Sequence, residues 1–396
     1  MKKIIISLLI LLCLTGCWNY KELNEYAIIS GIAIDKKDDL YEVSILISNS
    51  PKNDTSGDSG NAKVVVYSGY GDTIVKAMKD IGLISSKEMY LGSFSVLVVS
   101  DDVAKDGLSN AIDFFLRYAS TGKNFFVVVA RDSKAKDTLK IMTPLNSFPS
   151  QSISENLDSA TQLQGIVAKT SFEDLISSIL KDGIDPVINS LIIAGDVEEG
   201  SNKENLDVSE PKSYIKLQGM CIFRDDKLVD YATYDESLGI NMINNKIQEM
   251  YLKLEVDSDY VVIDTVAFGS SISVSLKNNK PKYKITLSGE ARIIEVNGKI
   301  DLENTKVLSN LEDIANKKIE KYSKEALDVA FSNRSDIFGL GDKLYQKYPK
   351  YFEKVREYWN NNLGNLEVKV DSKLIIKDKV STKNSLEVIK DEQKNK

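Results

Sequence analysis

The sequence predicts an α+β protein. Two or three domains, each a mixed or antiparallel sheet with helices packed on it, are expected behind a cleaved N-terminal signal. Three observations carry this expectation. Apolar runs of strand length recur along the chain beside apolar stripes with steps of three and four. Gly, Asn, Asp and capping residues punctuate them. The 396 residues, less a short leader, suit two or three units of about 100–200 residues.

The leader comes first. Lys2 and Lys3 precede an apolar run from Ile4 to Leu14, broken only by Ser7. A positive start, a short apolar core and small residues before a cleavage point mark an export signal. At ~1.5 Å per residue the run reaches only about half of a ~30 Å hydrocarbon core, so spanning is not expected. Leu14-Thr15-Gly16-Cys17 resembles the bacterial lipobox. That resemblance implies cleavage before Cys17, which removes residues 1–16, and a diacylglyceryl thioether on Cys17. The remainder is then an extracytoplasmic protein tethered by its first residue.

Composition excludes several function classes. Lys and Arg number 51 against 58 Asp and Glu, and only six of the cations are Arg. An acidic chain argues against nucleic acid and against electrostatic attachment to anionic lipid. Histidine is absent, which removes Ser-His-Asp and Cys-His catalysis and histidine metal sites. Cys13 leaves with the signal and Cys17 is lipidated, so Cys221 has no partner for an internal disulfide.

The elements follow in order. Ala27–Asp35 reads as a buried strand, Lys36–Asp39 as a turn and Tyr41–Ile47 as the hairpin partner. Ser50–Asn61 is a polar loop, and Lys63–Tyr67 resumes as a strand. Asp72 caps a helix with Ile74, Met78 and Ile81 on its apolar face. Phe94–Val99 is a strand. Asp101–Ala119 is an amphipathic helix with Val103, Leu108, Ile112 and Phe115 inward, closed by Gly122. Phe125–Ala130 is a further strand, and Thr170–Asp174 offers a capping box to a helix ending near Gly183.

Asp196–Ser213 is acidic and poor in apolar residues. It reads as a linker between an N-terminal domain, 17–195, and a C-terminal domain, 214–377. A further division near residue 255 is left open. In the second region Ile215–Phe223 and Leu228–Tyr234 form a hairpin, and Tyr260–Phe268 and Lys282–Val296 are long strands. Asn297-Gly298 marks another hairpin turn. Leu308, Leu311, Ala315, Ile319, Tyr322, Ala326 and Val329 make one continuous helical stripe. Tyr348, Phe352, Val355 and Trp359 make a second. Leu366–Ile376 is a last alternating strand, and 378–396 is a charged tail expected to be disordered.

The residues that could carry chemistry have ordinary structural uses. Asp38-Asp39 and Asp225-Asp226 sit in turns, and Asp101-Asp102 sits at a helix start, where negative charge is favoured. Phe338-Gly339-Leu340-Gly341-Asp342 lacks the Gly-x-Gly-x-x-Gly pattern and a preceding strand, so it reads as a helix break and not a phosphate loop. The aromatic stripe ending at Trp359 lacks a basic groove and reads as core. No catalytic, metal-binding or cofactor-binding residue is assigned.

Four stretches together resemble the C subunit of spore germinant receptors, the Ger(x)C lipoprotein family. They are Cys17-Trp18 and Glu22-Leu23 with Gly31–Asp35; Leu91-Gly92 with Ser95–Val99, Ala104, Gly107-Leu108 and Asp113–Arg117; Leu217–Phe223 with Asp226–Leu228; and Asp336–Gly341 with Pro349 and Trp359. The chain departs from the pattern at Ser93, where a histidine is expected, and at Tyr118, where an acidic residue is expected. The resemblance implies an α+β lipoprotein on the outer face of the spore inner membrane, without enzymatic activity or cofactor. It implies two partners, the integral-membrane A- and B-type receptor subunits. The expected function is that of a non-catalytic scaffold or interaction subunit in the response to nutrients. The alternative is a solute-binding lipoprotein of a transporter. Whether the chain itself binds a small molecule is left open.

The one modification site assigned is Cys17. Mass spectrometry of the membrane fraction is expected to find Cys17 as a lipid-modified N-terminus. Cys17→Ala is expected to release the protein, and quantitative retention of that variant would require another membrane determinant.

Overall fold

A computed structural model describes residues 25–48, 64–118, 121–146 and 148–379, with residue 388. The signal, Cys17, the Ser50–Asn61 loop and the tail beyond Lys379, apart from residue 388, lie outside the described residues.

The expected first hairpin is present as β1 (Tyr26–Lys37) and β2 (Leu40–Ser48), with Asp38 at φ 55° in the turn. β3 (Val64–Gly71) pairs antiparallel to β2. The next helix is α1 (Ile74–Ile81). Its cap is Thr73, not Asp72: the Thr73 hydroxyl accepts from the Lys76 amide at 3.2 Å, while Asp72 pairs with the Lys76 ammonium. After β4 (Glu88–Tyr90) and β5 (Val96–Ser100), the helix expected over 101–119 is two, α2 (Asp101–Asp106) and α3 (Leu108–Arg117). Gly107 breaks it at φ 128°, a backbone state that L side chains rarely adopt. The freed amides of Leu108 and Ser109 then donate to Asp226, at 2.9 Å to its carbonyl and 3.0 Å to its carboxylate. Gly122 does not close this helix, whose C-cap is Tyr118.

β6 (Phe126–Ala130), α4 (Ala135–Thr138), α5 (Pro149–Leu163), α6 (Phe172–Leu180) and β7 (Val187–Ala194) follow. The capping box of α6 forms between Ser171 and Asp174. The sequence pattern predicts neither α5 nor β7. α5 is rich in Ser, Gln and Asn and buries only a narrow face, which hides its period.

The acidic stretch expected as an interdomain linker contains α7 (Val197–Ser201) and joins β7 to β8 (Tyr214–Arg224), its antiparallel neighbour in the same sheet. β9 (Lys227–Tyr231) adds to β8. The Asn205 side chain pins the stretch. Its amide donates to the carbonyls of Met142 and Ser213, and its carbonyl accepts from the Ser213 amide. An unpaired edge on β7 attracts the next available strand, and linker composition carries no information about that edge.

Among the described residues the first sheet thus has nine strands, ordered β3-β2-β1-β5-β6-β7-β8-β9, with β4 alongside the start of β1. β1, β5, β6 and β7 are mutually parallel. β5 is buried along its length, as β6 is from Val127 onward, which is why both read as unbroken apolar runs. One face packs on α1, α2, α3 and α6, and the other on α4 and α5.

α8 (Tyr234–Ile243), also unassigned from sequence, leads to a second sheet of β10 (Tyr251–Val256), β11 (Asp259–Lys277), β12 (Lys280–Asn297) and, after a helical crossover, β13 (Glu367–Lys379). The hairpin turn is Asn278-Asn279, both at positive φ, as a two-residue turn of this type demands. Asn297-Gly298 instead ends β12 ahead of α9 (Thr305–Ser332), so it is not a hairpin turn. β13 runs parallel to β12, a pairing that needs a long crossover. The crossover consists of α9, α10 (Leu340–Lys347) and α11 (Pro349–Val355) with short 3-10 turns. The expected stripe of α9 is buried at Leu311, Ala315, Ile319, Tyr322 and Ala326. Met220 and Ile222 of β8 join this C-terminal core, so one apolar cluster reaches both sheets.

This topology generates a test. A protease site inserted in the exposed Asp207–Glu210 segment should yield fragments that co-elute on gel filtration without denaturant, because β8 stays paired to β7. Separation into two folded halves would contradict the shared sheet.

Candidate functional site

Segments distant in sequence meet at two buried carboxylates, Asp185 and Asp336. Asp185 lies between α6 and β7. Its Oδ1 accepts from the Asp225 amide at 2.7 Å, in the β8–β9 turn. Its Oδ2 accepts from the Asp336 amide at 2.7 Å and from the Asn360 side chain at 3.1 Å. The Asp185 amide returns a bond to the Asp336 carbonyl. Asp336 Oδ1 accepts from the Leu340 amide at 2.9 Å, and its Oδ2 accepts from the Gly341 amide and the Trp359 indole, both at 2.7 Å. The Ser335 hydroxyl donates to the Phe223 carbonyl at the end of β8.

The local sequence explains this arrangement. Asp336 stands four and five residues before the first amides of α10, whose N-terminal donors have no partner inside the helix. Gly339 takes the left-handed conformation at the cap, so the chain turns back over the carboxylate. Gly341 packs against Gly183 so closely that a Cβ on it would lie 2.6 Å from the Gly183 Cα. Phe352 and Trp359 close the pocket edge to face, with ring centroids 5.6 Å apart.

Burial pushes Asp336 up to about 7, against the pull of its three N–H donors. Burial likewise raises Asp185 to about 6, again opposed by its donors. The folded state therefore binds protons more tightly than the unfolded chain. This contribution to stability is fully present below about pH 4 and is lost as pH rises toward 7.

A third buried carboxylate organises the first sheet. Asp35, at the end of the Gly31–Asp35 run, accepts from the Ala135 and Lys136 amides at 2.8 Å each and so fixes α4 on β1. Burial raises its pKa to about 6. Beside it, burial would also raise Glu42, but hydrogen bonds from Lys136 and Tyr70 outweigh this and hold it below its ordinary range.

The three carboxylate pairs singled out in the sequence have separate local uses. Asp38 and Asp225 occupy left-handed turn positions. Asp101 opens α2 and pairs with Lys105, and Asp226 docks on the α2–α3 break. Among the described residues no group of three or more Asp, Glu or Cys has metal-binding geometry. Cys221 is buried, and burial raises its thiol pKa far above the ordinary value. Cys17 lies outside the described residues. An open cleft of about 740 Å³ lies between α5 and the β8–β9 hairpin, lined by Asn156, Gln164, Gln218, Thr233 and Arg131 among others. The Arg131 guanidinium stacks on the Tyr231 ring at 4.2 Å and pairs with Asp132. These groups can hydrogen-bond a polar ligand, but they include no nucleophile paired with a base.

The sequence places Asp336 and Trp359 in one family stretch, and Trp359 also on an apolar stripe, but predicts no contact between them. The available signal was an Asp set just ahead of a Gly-x-Gly helix start, together with an indole N–H that needs an acceptor once buried. Asp185 had no local signal.

Asp336→Asn is not a conservative change, because both oxygens accept and an amide group would face an N–H donor. It is expected to cost more than about 3 kcal/mol in urea denaturation, and to flatten the stability profile between pH 4 and 7. Trp359→Phe removes one donor and is expected to cost about 1–2 kcal/mol. An Asp336→Asn protein as stable as the parent would remove the carboxylate from its organising role.

Comparison with known proteins agrees with this architecture. Residues 19–193 match the model of the spore germination protein N-terminal domain, and residues 218–379 match the C-terminal model described as spore germination B3/GerAC like. Spore germination protein KC of Bacillus subtilis (strain 168) is 29% identical over 386 residues, covering 94% of each chain. Spore germination protein B3 of the same organism is 22% identical, covering 93% of this chain and 95% of its own. The crystal structure of the GerBC protein superposes with a TM-score of 0.54 at 16% identity, over 88% of this chain and 97% of that one. With both halves matched in order, and with the same α+β fold as a solved relative, this chain belongs to the Ger(x)C family of spore germination proteins.

Proposed function

We propose that this chain is a lipid-anchored subunit of a spore nutrient-germinant receptor, acting through position and contact and not through chemistry. The observation that carries the reading is the match of both halves to spore germination models across 19–193 and 218–379. The lipobox at Leu14–Cys17 supplies the anchor, and the outer face of the spore inner membrane is the expected location. The integral-membrane A- and B-type receptor subunits are the expected partners. Tethering confines the folded body beside such proteins and raises its effective concentration there. The buried carboxylates fit this role, since each binds backbone amides within the fold and holds segments together.

The alternative, a solute-binding lipoprotein of a transporter, would place its ligand between two lobes that close on it. The open cleft described above lies between α5 and the β8–β9 hairpin on one sheet, which supports the alternative less well.

The test is germinant-response kinetics in spores carrying variants at matched protein levels. Asp38→Asn and Asp225→Asn should leave the response intact, because Asn tolerates the left-handed backbone at both positions. Cys17→Ala or deletion should impair the response to nutrients while leaving receptor-independent germination unchanged. Loss of response in either Asn variant, with fold and anchoring preserved, would point to chemistry at that carboxylate and against a purely positional role.

A further inference from the structure

The sheet end formed by the start of β1 and by β4 carries an unusual set of side chains. Tyr26 opens β1, and β4 pairs parallel to it with Tyr26 opposite Glu88. The rings of Tyr26 and Tyr90 meet edge to face, with centroids 5.9 Å apart. The Tyr90 ring lies over Gly92, whose carbonyl abuts Gly122, and the Gly122 amide donates to the Leu91 carbonyl. The Thr121 amide in turn donates to the Tyr118 carbonyl, and the Tyr118 ring stacks on Phe114 at 5.1 Å. Tyr90 and Tyr118 are both exposed.

The turn leading into β4 adds Leu83 and Ile84, which are 84% and 57% exposed. This turn is well ordered by hydrogen bonds. The amides of Leu83, Ile84 and Ser85 donate to the carbonyls of Asp80, Ile81 and Ile81 at 3.0–3.1 Å, and the Ser85 hydroxyl bonds the Lys87 carbonyl. Ile84 is four residues from Glu88, so it lies within about 14 Å of the tyrosine cluster's strand. A built turn that holds adjacent Leu and Ile side chains outward forgoes burial that such side chains ordinarily gain.

We infer that this edge, with Leu83, Ile84, Tyr90 and Tyr118, rests in the interfacial layer of the lipid bilayer and orients the body on the membrane. The inference rests on the anchoring at Cys17 proposed above. Eight residues separate Cys17 from Tyr26, a contour of about 30 Å at most, so the anchored chain cannot carry this edge far from the lipid surface. Tyrosine, with an apolar ring and a polar tip, suits the headgroup level. Lys87 and Glu88 lead into Tyr90, Glu25 precedes Tyr26, and Lys123 follows Gly122. The rim is electrically mixed, and attachment depends on the amphipathic side chains more than on net charge.

The test uses the lipidated full-length chain in phosphatidylcholine vesicles. An environment-sensitive thiol probe is placed singly at Ile84→Cys, at Tyr118→Cys, or at Asp39→Cys in the β1–β2 turn at the far end of β1. Buried Cys221 does not compete for the probe. Probes at 84 and 118, expected at the ~5–10 Å depth of an interfacial apolar face, should lose about half their emission to shallow nitroxide lipids, and the probe at 39 should lose none. Vesicle flotation with all three probes unquenched would overturn the docking face and leave the anchor standing. Shielding at 84 and 118 that appears only after integral-membrane receptor subunits are added would overturn lipid as the occupant and assign the face to protein. Failure of the chain to float would overturn the anchor, and this inference with it.

Discussion

The fold depends on one buried carboxylate more than on any other polar group. Asp336 lies at the start of α10 with both oxygens filled by N–H donors from Leu340, Gly341 and Trp359. A charge removed from water is costly unless each lone-pair direction finds a donor. The geometry around it is accordingly constrained. Gly339 must turn left-handed, Gly341 must approach Gly183, and Trp359 must return from beyond α11. Asp185 extends the constraint to the β8–β9 turn and to the segment ahead of β7. A hydrogen-bonded junction with an elevated pKa couples the two sheets, alongside the apolar cluster that includes Met220 and Ile222 of β8.

This coupling bears on how the tether proposed at Cys17 would position the whole chain. Two bodies joined by a loose linker would move independently, and a tether on the first would not orient the second. Here β8 belongs by hydrogen bonding to the first sheet and by packing to the second core. The match to known germination proteins divides near residues 193 and 218, close to the acidic stretch, yet the sheet continues across that division. A unit of sequence similarity and a unit of hydrogen-bonded structure need not coincide, because strand pairing is settled by which edge is open and not by where similarity ends.

Much of the architecture was legible in the sequence where a local signal existed. The β1–β2 hairpin, the capping box of α6, the buried stripe of α9 and the last strand all follow from periodicity and cap chemistry acting within a few residues. The absence of histidine removes Ser-His-Asp and Cys-His catalysis, and Asp38 and Asp225 have an ordinary use as left-handed turn residues. The Gly-x-Gly at 339–341 read correctly as a helix break, since a left-handed cap residue is a local requirement.

What the sequence by itself determined was therefore what neighbours along the chain decide: strand and helix periods, the turns at Asp38 and Asp225, and the family motifs. The tertiary structure alone decided which strand the β8–β9 hairpin joined, that the long helix breaks at Gly107 to receive Asp226, and that Asp336 and Trp359 share a proton-donor contact. Each of these depends on a partner far away in sequence, and a backbone edge or a buried carboxylate accepts whichever donor folding brings to it. Asp185 is the clearest case. Nothing within ten residues marks it, and its role exists only because Asp225, Asp336 and Asn360 converge on its two oxygens.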